Sequence, residues 1–241
     1  MHQENTFITL TYNDENLPYD ESIYLSHLQK FHKRLRKSVS PKKTRHYSCA
    51  EYGDLLGRPH YHSIIFGHDF PDKILWQETE GILTYTSEIL SLLWGKGFVT
   101  LSDVTLQSAA YVARYTEKKQ YGKNSDDHYQ KICKITQEAR PVTPEFATMS
   151  TRPGIARAWY TLYSDDVFPS DTVIIKGKSV RTPRYYTQQL EKENPALHES
   201  IKLRRLEAAQ LHDKDTTPAR LRVREKVQLL NSQFFKRKLD L

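Results

Sequence analysis

Residues 57–67 read GRPHYHSIIFG, and the architecture of the chain can be worked outward from how this stretch is laid down. HYHSIIF is rich in β-branched and aromatic residues, follows Pro59 and stops at Gly67, the pattern of a β-strand. Side chains alternate along a strand, so His60, His62, Ile64 and Phe66 share one face. Two imidazoles two residues apart then converge on one point, as divalent-metal ligands must. An HxH also arises with no ligand at all, so its neighbours carry the weight.

Upstream, His46–Tyr52 (HYSCAEY) also reads as a strand, and the intervening GDLLGR of residues 53–58 has the glycines of a hairpin connection. Closing that hairpin brings Glu51 opposite the histidines as a third ligand. A His/His/carboxylate set favours Mg²⁺ or Mn²⁺ in a nuclease, with zinc also compatible by residue type.

About fifty residues downstream, AAYVARYTEKK (109–119) contains no Gly or Pro and follows Ser108, which reads as an N-cap. On that helix Tyr111 and Tyr115, four residues apart, are neighbours. Arg114 follows Tyr111 by three residues, and Lys118 and Lys119 follow Tyr115. A phenol ionises near pH 10 and is a poor nucleophile. Adjacent cations and a metal-bound phosphate favour both its ionisation and the charge that develops in attack. Paired helical tyrosines also serve commonly as packing residues, which is the competing reading.

At 241 residues with a net charge of +7 and a pI near 9.2, the chain suits a polyanionic partner. Residues 1–170 balance 20 Lys/Arg against 20 Asp/Glu, whereas residues 171–241 hold 16 against 9, so the net excess lies in the last segment. Two cysteines, Cys49 and Cys133, make no disulfide framework or zinc pairing and suit a reducing compartment. No apolar run approaches a membrane span, and no signal-peptide pattern opens the sequence.

The pattern predicts a strand at 6–12 and a helix at about 21–37, with Tyr24, Leu28, Phe31 and Leu35 as its apolar stripe. That helix leaves Lys33 and Arg34, among other cations, for solvent or phosphate. Strands are expected at 45–52, 60–66 and 97–101, and helices at 84–94 and 155–164. Residues 120–150 give no clear pattern, a hairpin is expected around Gly177, and the chain from about 184 reads as helical with a break near Asp213–Pro218. An antiparallel sheet with packed helices makes an α+β fold. It divides into a domain at 1–170 and a basic, mostly helical extension at 171–241, which either clamps DNA, packs on a partner or is a solvated tail.

Three blocks in order resemble the HUH endonucleases, named for a His-hydrophobic-His signature: FITLTYNDENLP (7–18), GRPHYHSIIFG (57–67) and YVARYTEKK (111–119). More narrowly they are similar to the replication initiators of small single-stranded DNA phages, the gokushovirus branch of the Microviridae. Arg152–Ile155 (RPGI), Trp159 and Pro183–Tyr186 (PRYY) carry the same likeness, which covers roughly residues 6–190. In that family a helical, cysteine-containing segment precedes the first strand, whereas here five residues precede Thr6, a departure that bears on origin recognition.

The resemblance implies a five-stranded, ferredoxin-like sheet with the metal at its centre, held by His60, His62 and Glu51. It implies tyrosine nucleophiles at 111 and 115 assisted by Lys118 and Lys119, with Arg114, Lys33, Arg34 and Arg58 on DNA. The implied activity is origin nicking of single-stranded or replicative-form DNA with a 5′-phosphotyrosine link, driving rolling-circle replication in the host bacterial cytoplasm. Host polymerase and helicase would be partners. A different HUH enzyme (plasmid initiator, relaxase or transposase) and a non-catalytic single-strand-binding protein are the alternatives.

Overall fold

The computed structural model describes residues 1–53, 56–79, 81–122, 125–132 and 138–234, with side chains left aside at 115–118 and 232–234. Strand β1 (Asn5–Thr11) and helix α1 (Leu25–Ser38) precede the hairpin of β2 (Arg45–Tyr52) and β3 (Pro59–Phe66). A second hairpin, β4 (Ile74–Thr79) and β5 (Ile82–Thr86), leads to α2 (Glu88–Trp94), β6 (Val99–Ser102) and α3 (Leu106–Lys118). The one-turn α4 (Ser125–His128) and strands β7 (Gln130–Ile132), β8 (Ala139–Pro141) and β9 (Phe146–Met149) follow. After these come α5 (Arg157–Val167), β10 (Thr172–Ile175), β11 (Lys178–Arg181), α6 (Arg184–Glu193), α7 (Pro195–Gln210) and α8 (Pro218–Phe234). Two compact units result, Met1–Ile155 and Ala156–Leu241.

In the first unit, seven strands form one antiparallel sheet in the order β4-β5-β6-β1-β3-β2-β9. The stretch β6-β1-β3-β2 is the split β-α-β arrangement of a ferredoxin-like sheet. With β9 it makes five strands whose middle member, β3, carries the HxH. The fold is α+β and consistent with an HUH-type sheet; the β4-β5 hairpin extends it at one edge.

Alternation gives the sheet two apolar faces. Ile8, Leu10, Ala50, Tyr61, Ile65, Val99 and Leu101 pack against Leu28, Phe31 and Leu35 of α1 and Leu90 and Trp94 of α2. Each of these large side chains, fully removed from water, contributes roughly 1.5–3 kcal/mol. On the other face Phe7, Tyr47, Cys49, Ile64 and Phe66 meet Ala109, Tyr111 and Val112 of α3. Cys49 is a buried free thiol, and Cys133 lies outside the described residues.

Several boundaries differ from the sequence pattern for local reasons. Helix α1 starts at Leu25 rather than near 21, because Glu21 sits in the left-handed region (φ 53°) and the Tyr24 backbone N–H donates to the Tyr61 hydroxyl. The expected helix at 84–94 is the end of β5 followed by α2. Ser87 divides them: its hydroxyl accepts from the Leu90 N–H and donates to Asp72, fixing an N-cap there. Helix α3 is capped by Thr105, with Ser108 as the reciprocal partner of a capping box rather than the cap itself.

The second unit has its own core of Tyr160, Val167, Phe168, Leu190 and Ile201, with Trp159 stacked on Tyr186 at 5.1 Å. Its hairpin turns through Lys176-Gly177, both with positive φ, as a two-residue connection matching strand twist requires. Helices α6, α7 and α8 fill the stretch expected to be helical, with a break at Asp213–Asp215.

Candidate metal centre and tyrosine helix

The β2-β3 register sets the site. Glu51 pairs directly with His60, and the Gly53 N–H donates to the Arg58 carbonyl to close the connection. Because His60 and His62 share a face, both reach the same carboxylate. Their Nε2 atoms each lie 2.9 Å from Oε1 of Glu51. One ligand atom from each of the three residues falls within 4.8 Å of the others. Glu51 and His62 are buried and His60 is partly exposed, so the cluster opens to solvent on one side.

The far side of each ring is also held. Nδ1 of His60 faces the Arg58 carbonyl at 3.0 Å, an oxygen that can only accept, so this nitrogen carries the proton. In a neutral His60 the Nε2 lone pair then points at a carboxylate oxygen, and two acceptors at 2.9 Å repel unless a cation sits between them. A proton on each ring would put two imidazoliums with centroids 5.0 Å apart in a largely buried site, which is costly. A divalent cation satisfies all three ligands at once, so the donor set fits one. Nδ1 of His62 lies 3.0 Å from the Thr9 hydroxyl, which orients that ring. Burial alone would raise the Glu51 carboxyl. Hydrogen bonds from His60 and His62, with their charge, outweigh it and hold the group well below the usual carboxylate range.

Helix α3 lies on this same face. Phe7 stacks on His62 with centroids 5.7 Å apart, and Tyr111 meets both rings edge-on, at 5.5 Å from His62 and 6.3 Å from Phe7. A tyrosine is thus in contact with a ligand of the candidate centre. Arg114 is half-buried one turn further along. Tyr115 and Lys118 continue the helix backbone, but their side chains lie outside those described. Lys119 stands at the helix end, its ammonium 5.3 Å from the centre of the Tyr121 ring.

The remaining expected DNA contacts are placed elsewhere. Arg34 donates to the Leu93 and Trp94 carbonyls and ties α1 to the C-terminal end of α2. Arg58 donates to the Tyr12 carbonyl and pairs with Asp14. Lys33 is exposed on α1, on the sheet face opposite the cluster. Phe7 and Thr9 are neighbours of the site that the motif reading passed over. Their signal was the alternation of FITLT, which becomes informative only once β1 is known to pair with β3.

Residues 5–120 match the family model of the replication-associated protein ORF2. The chain is 32% identical over 203 residues to the replication-associated protein VP4 of Bdellovibrio phage phiMH2K, covering 81% of this chain and 60% of that protein. It is also 32% identical to the replication-associated protein ORF2 of Spiroplasma virus 4, covering 79% and 59%, and 28% identical to ORF4 of Chlamydia phage 1, covering 79% and 47%. The chain therefore spans about half to 60% of the length of these relatives. No solved structure matches it. Matches to phage proteins across four-fifths of the chain, with the HxH strand and the tyrosine helix inside the family-model span, identify it as a member of the replication-associated proteins of Microviridae-type phages.

Proposed function

We propose that this chain is a replication initiation endonuclease that nicks origin DNA and stays linked to it through a 5′-phosphotyrosine. The observation that carries the reading is the contact between Tyr111 and His62 within the Glu51–His60–His62 cluster. Relatives named as replication-associated proteins support the process, and the site supports the chemistry.

Glu51, His60 and His62 hold a Mg²⁺ or Mn²⁺ ion, which when bound neutralises charge on the scissile phosphate. Helix α3 presents the tyrosines at that point. The phenol oxygen forms a bond to phosphorus, the bond to the 3′ oxygen breaks, and that oxygen takes up a proton as the free 3′-OH. Lys118, Lys119 and Arg114 favour the ionised phenol. Tyr111 and Tyr115, four residues apart on one helix, allow a second cut of the regenerated origin while the first link persists. The 3′-OH then resolves that link into a circle. The 3′-OH primes host polymerase, with host helicase opening the duplex, in the bacterial cytoplasm. Among the described residues no helix is long and apolar enough to cross a membrane.

The test is a labelled single-stranded oligonucleotide carrying the cognate origin, incubated with the protein and Mn²⁺ and run under denaturing conditions. A protein–DNA band is expected from the wild type, lost in the Tyr111→Phe/Tyr115→Phe double variant and in His60→Ala. A binding protein without activity would retain the DNA in native gels and give no such band.

A further inference from the structure

The face that carries the cluster continues beyond it. Glu51 pairs with His60, His60 with Thr11, and the Thr11 N–H donates to the Phe98 carbonyl at 2.9 Å. These four residues make one row across adjacent strands, each step about 4.8 Å. Val99 is buried on the opposite, α1-covered face, so alternation turns Phe98 to the face of the cluster. There Phe98 meets Trp76, with ring centroids 5.1 Å apart at 64°.

Neither ring belongs to a core cluster, and both are about half exposed, Phe98 at 48% and Trp76 at 51%. Trp76 sits where the β4-β5 register shifts between Leu75 and Gln77. Such bulges re-aim a side chain. Phe98 is rigidly placed, because the preceding Gly97 packs so closely on β1 that a Cβ there would lie 2.2 Å from the Asn13 nitrogen. Two large rings held in water, in line with a candidate phosphate-cleaving centre, do little for the core and much for a ligand with flat apolar faces.

We propose that Trp76 and Phe98 form a base-stacking platform for the single-stranded DNA whose phosphate lies at the Glu51–His60–His62 centre. The proposal rests on the nuclease reading for the position of that phosphate. Its occupant is argued from continuity with the site: a strand leaving the cluster along the row passes over Thr11 and reaches the two rings, and stacking accepts any base.

The test reads binding, not cleavage. Fluorescein-labelled oligodeoxythymidylate and an abasic oligomer of equal length are titrated with the full chain in metal-free buffer. Trp76→Ala and Phe98→Ala should each weaken oligothymidylate binding about tenfold, leave the abasic oligomer unchanged, and recover largely in Trp76→Phe. Unchanged oligothymidylate affinity overturns the platform, as does equal weakening on both oligomers. A fall in sedimentation mass with unchanged DNA affinity assigns the face to a second copy of the chain and overturns it too. Because no covalent product is read, the platform can stand if nicking is never found, and fall if nicking is.

Discussion

Thr9 and Arg58 show how much of the candidate centre depends on groups that are not ligands. The Arg58 carbonyl fixes which nitrogen of His60 is protonated, and the Thr9 hydroxyl does the orienting for His62. Thr9→Val removes that partner without changing size or strand propensity. It should weaken Mn²⁺ binding about 10-fold, within the range for lost supporting hydrogen bonds; titration calorimetry on the full chain measures it, and wild-type affinity would show that the threonine has no such part. The ligands themselves were legible in the sequence, because HxH on a strand and a carboxylate across a glycine-bounded hairpin follow from alternation alone. The arginines were not. Arg34 and Arg58 looked available for phosphate, yet each spends its guanidinium on backbone carbonyls, a use that depends on which loops come near.

At the level of elements, caps and face-to-face packing decided what the pattern left open. The boundary between β5 and α2 rests on Ser87, and Ser87→Ala should cost about 1 kcal/mol as an N-cap is lost; a denaturant midpoint equal to wild type would contradict it. Strands β4 and β5 were missed because they are mostly exposed, so neither the buried run nor the clean alternation of a strand is present. Residues 120–150 were opaque since their strands are only three or four residues long.

Between α1 and β2, His32 and His46 stack at 3.8 Å and hydrogen bond to Ser48 and Ser150. Burial keeps both neutral, lowering His46 to about 4 and His32 well below its usual value, with further lowering from Arg36. A histidine depressed in the fold stabilises it above the unfolded pKa near 6.5, and that contribution is lost as pH falls toward 4. Stability should therefore drop by on the order of 2 kcal/mol between pH 7 and pH 4.5, and His46→Gln should flatten the dependence. Parallel urea curves for variant and wild type across that range would refute it.

For the whole molecule, charge and function are segregated. The first 170 residues are balanced and carry the candidate chemistry, while the net positive charge lies beyond them. Arg220, Arg222, Arg224 and Lys226 are exposed on α8. If they contact phosphates, replacing all four with Gln should lower the salt slope of single-strand binding by about 0.7 per lost contact and leave cleavage at saturating DNA unchanged. An unaltered slope would make α8 a solvated tail.

Everything proposed for this chain turns on whether a tyrosine of α3, beside Glu51, His60 and His62, becomes joined to DNA. Mass spectrometry of the nucleotide-bearing peptide, after reaction with cognate single-stranded origin DNA and Mn²⁺, answers that question. The phosphate is expected on Tyr111 or Tyr115, with no adduct in Glu51→Gln. An adduct on any residue outside this helix, or an unmodified chain from a reaction in which the DNA has been cut, would contradict it.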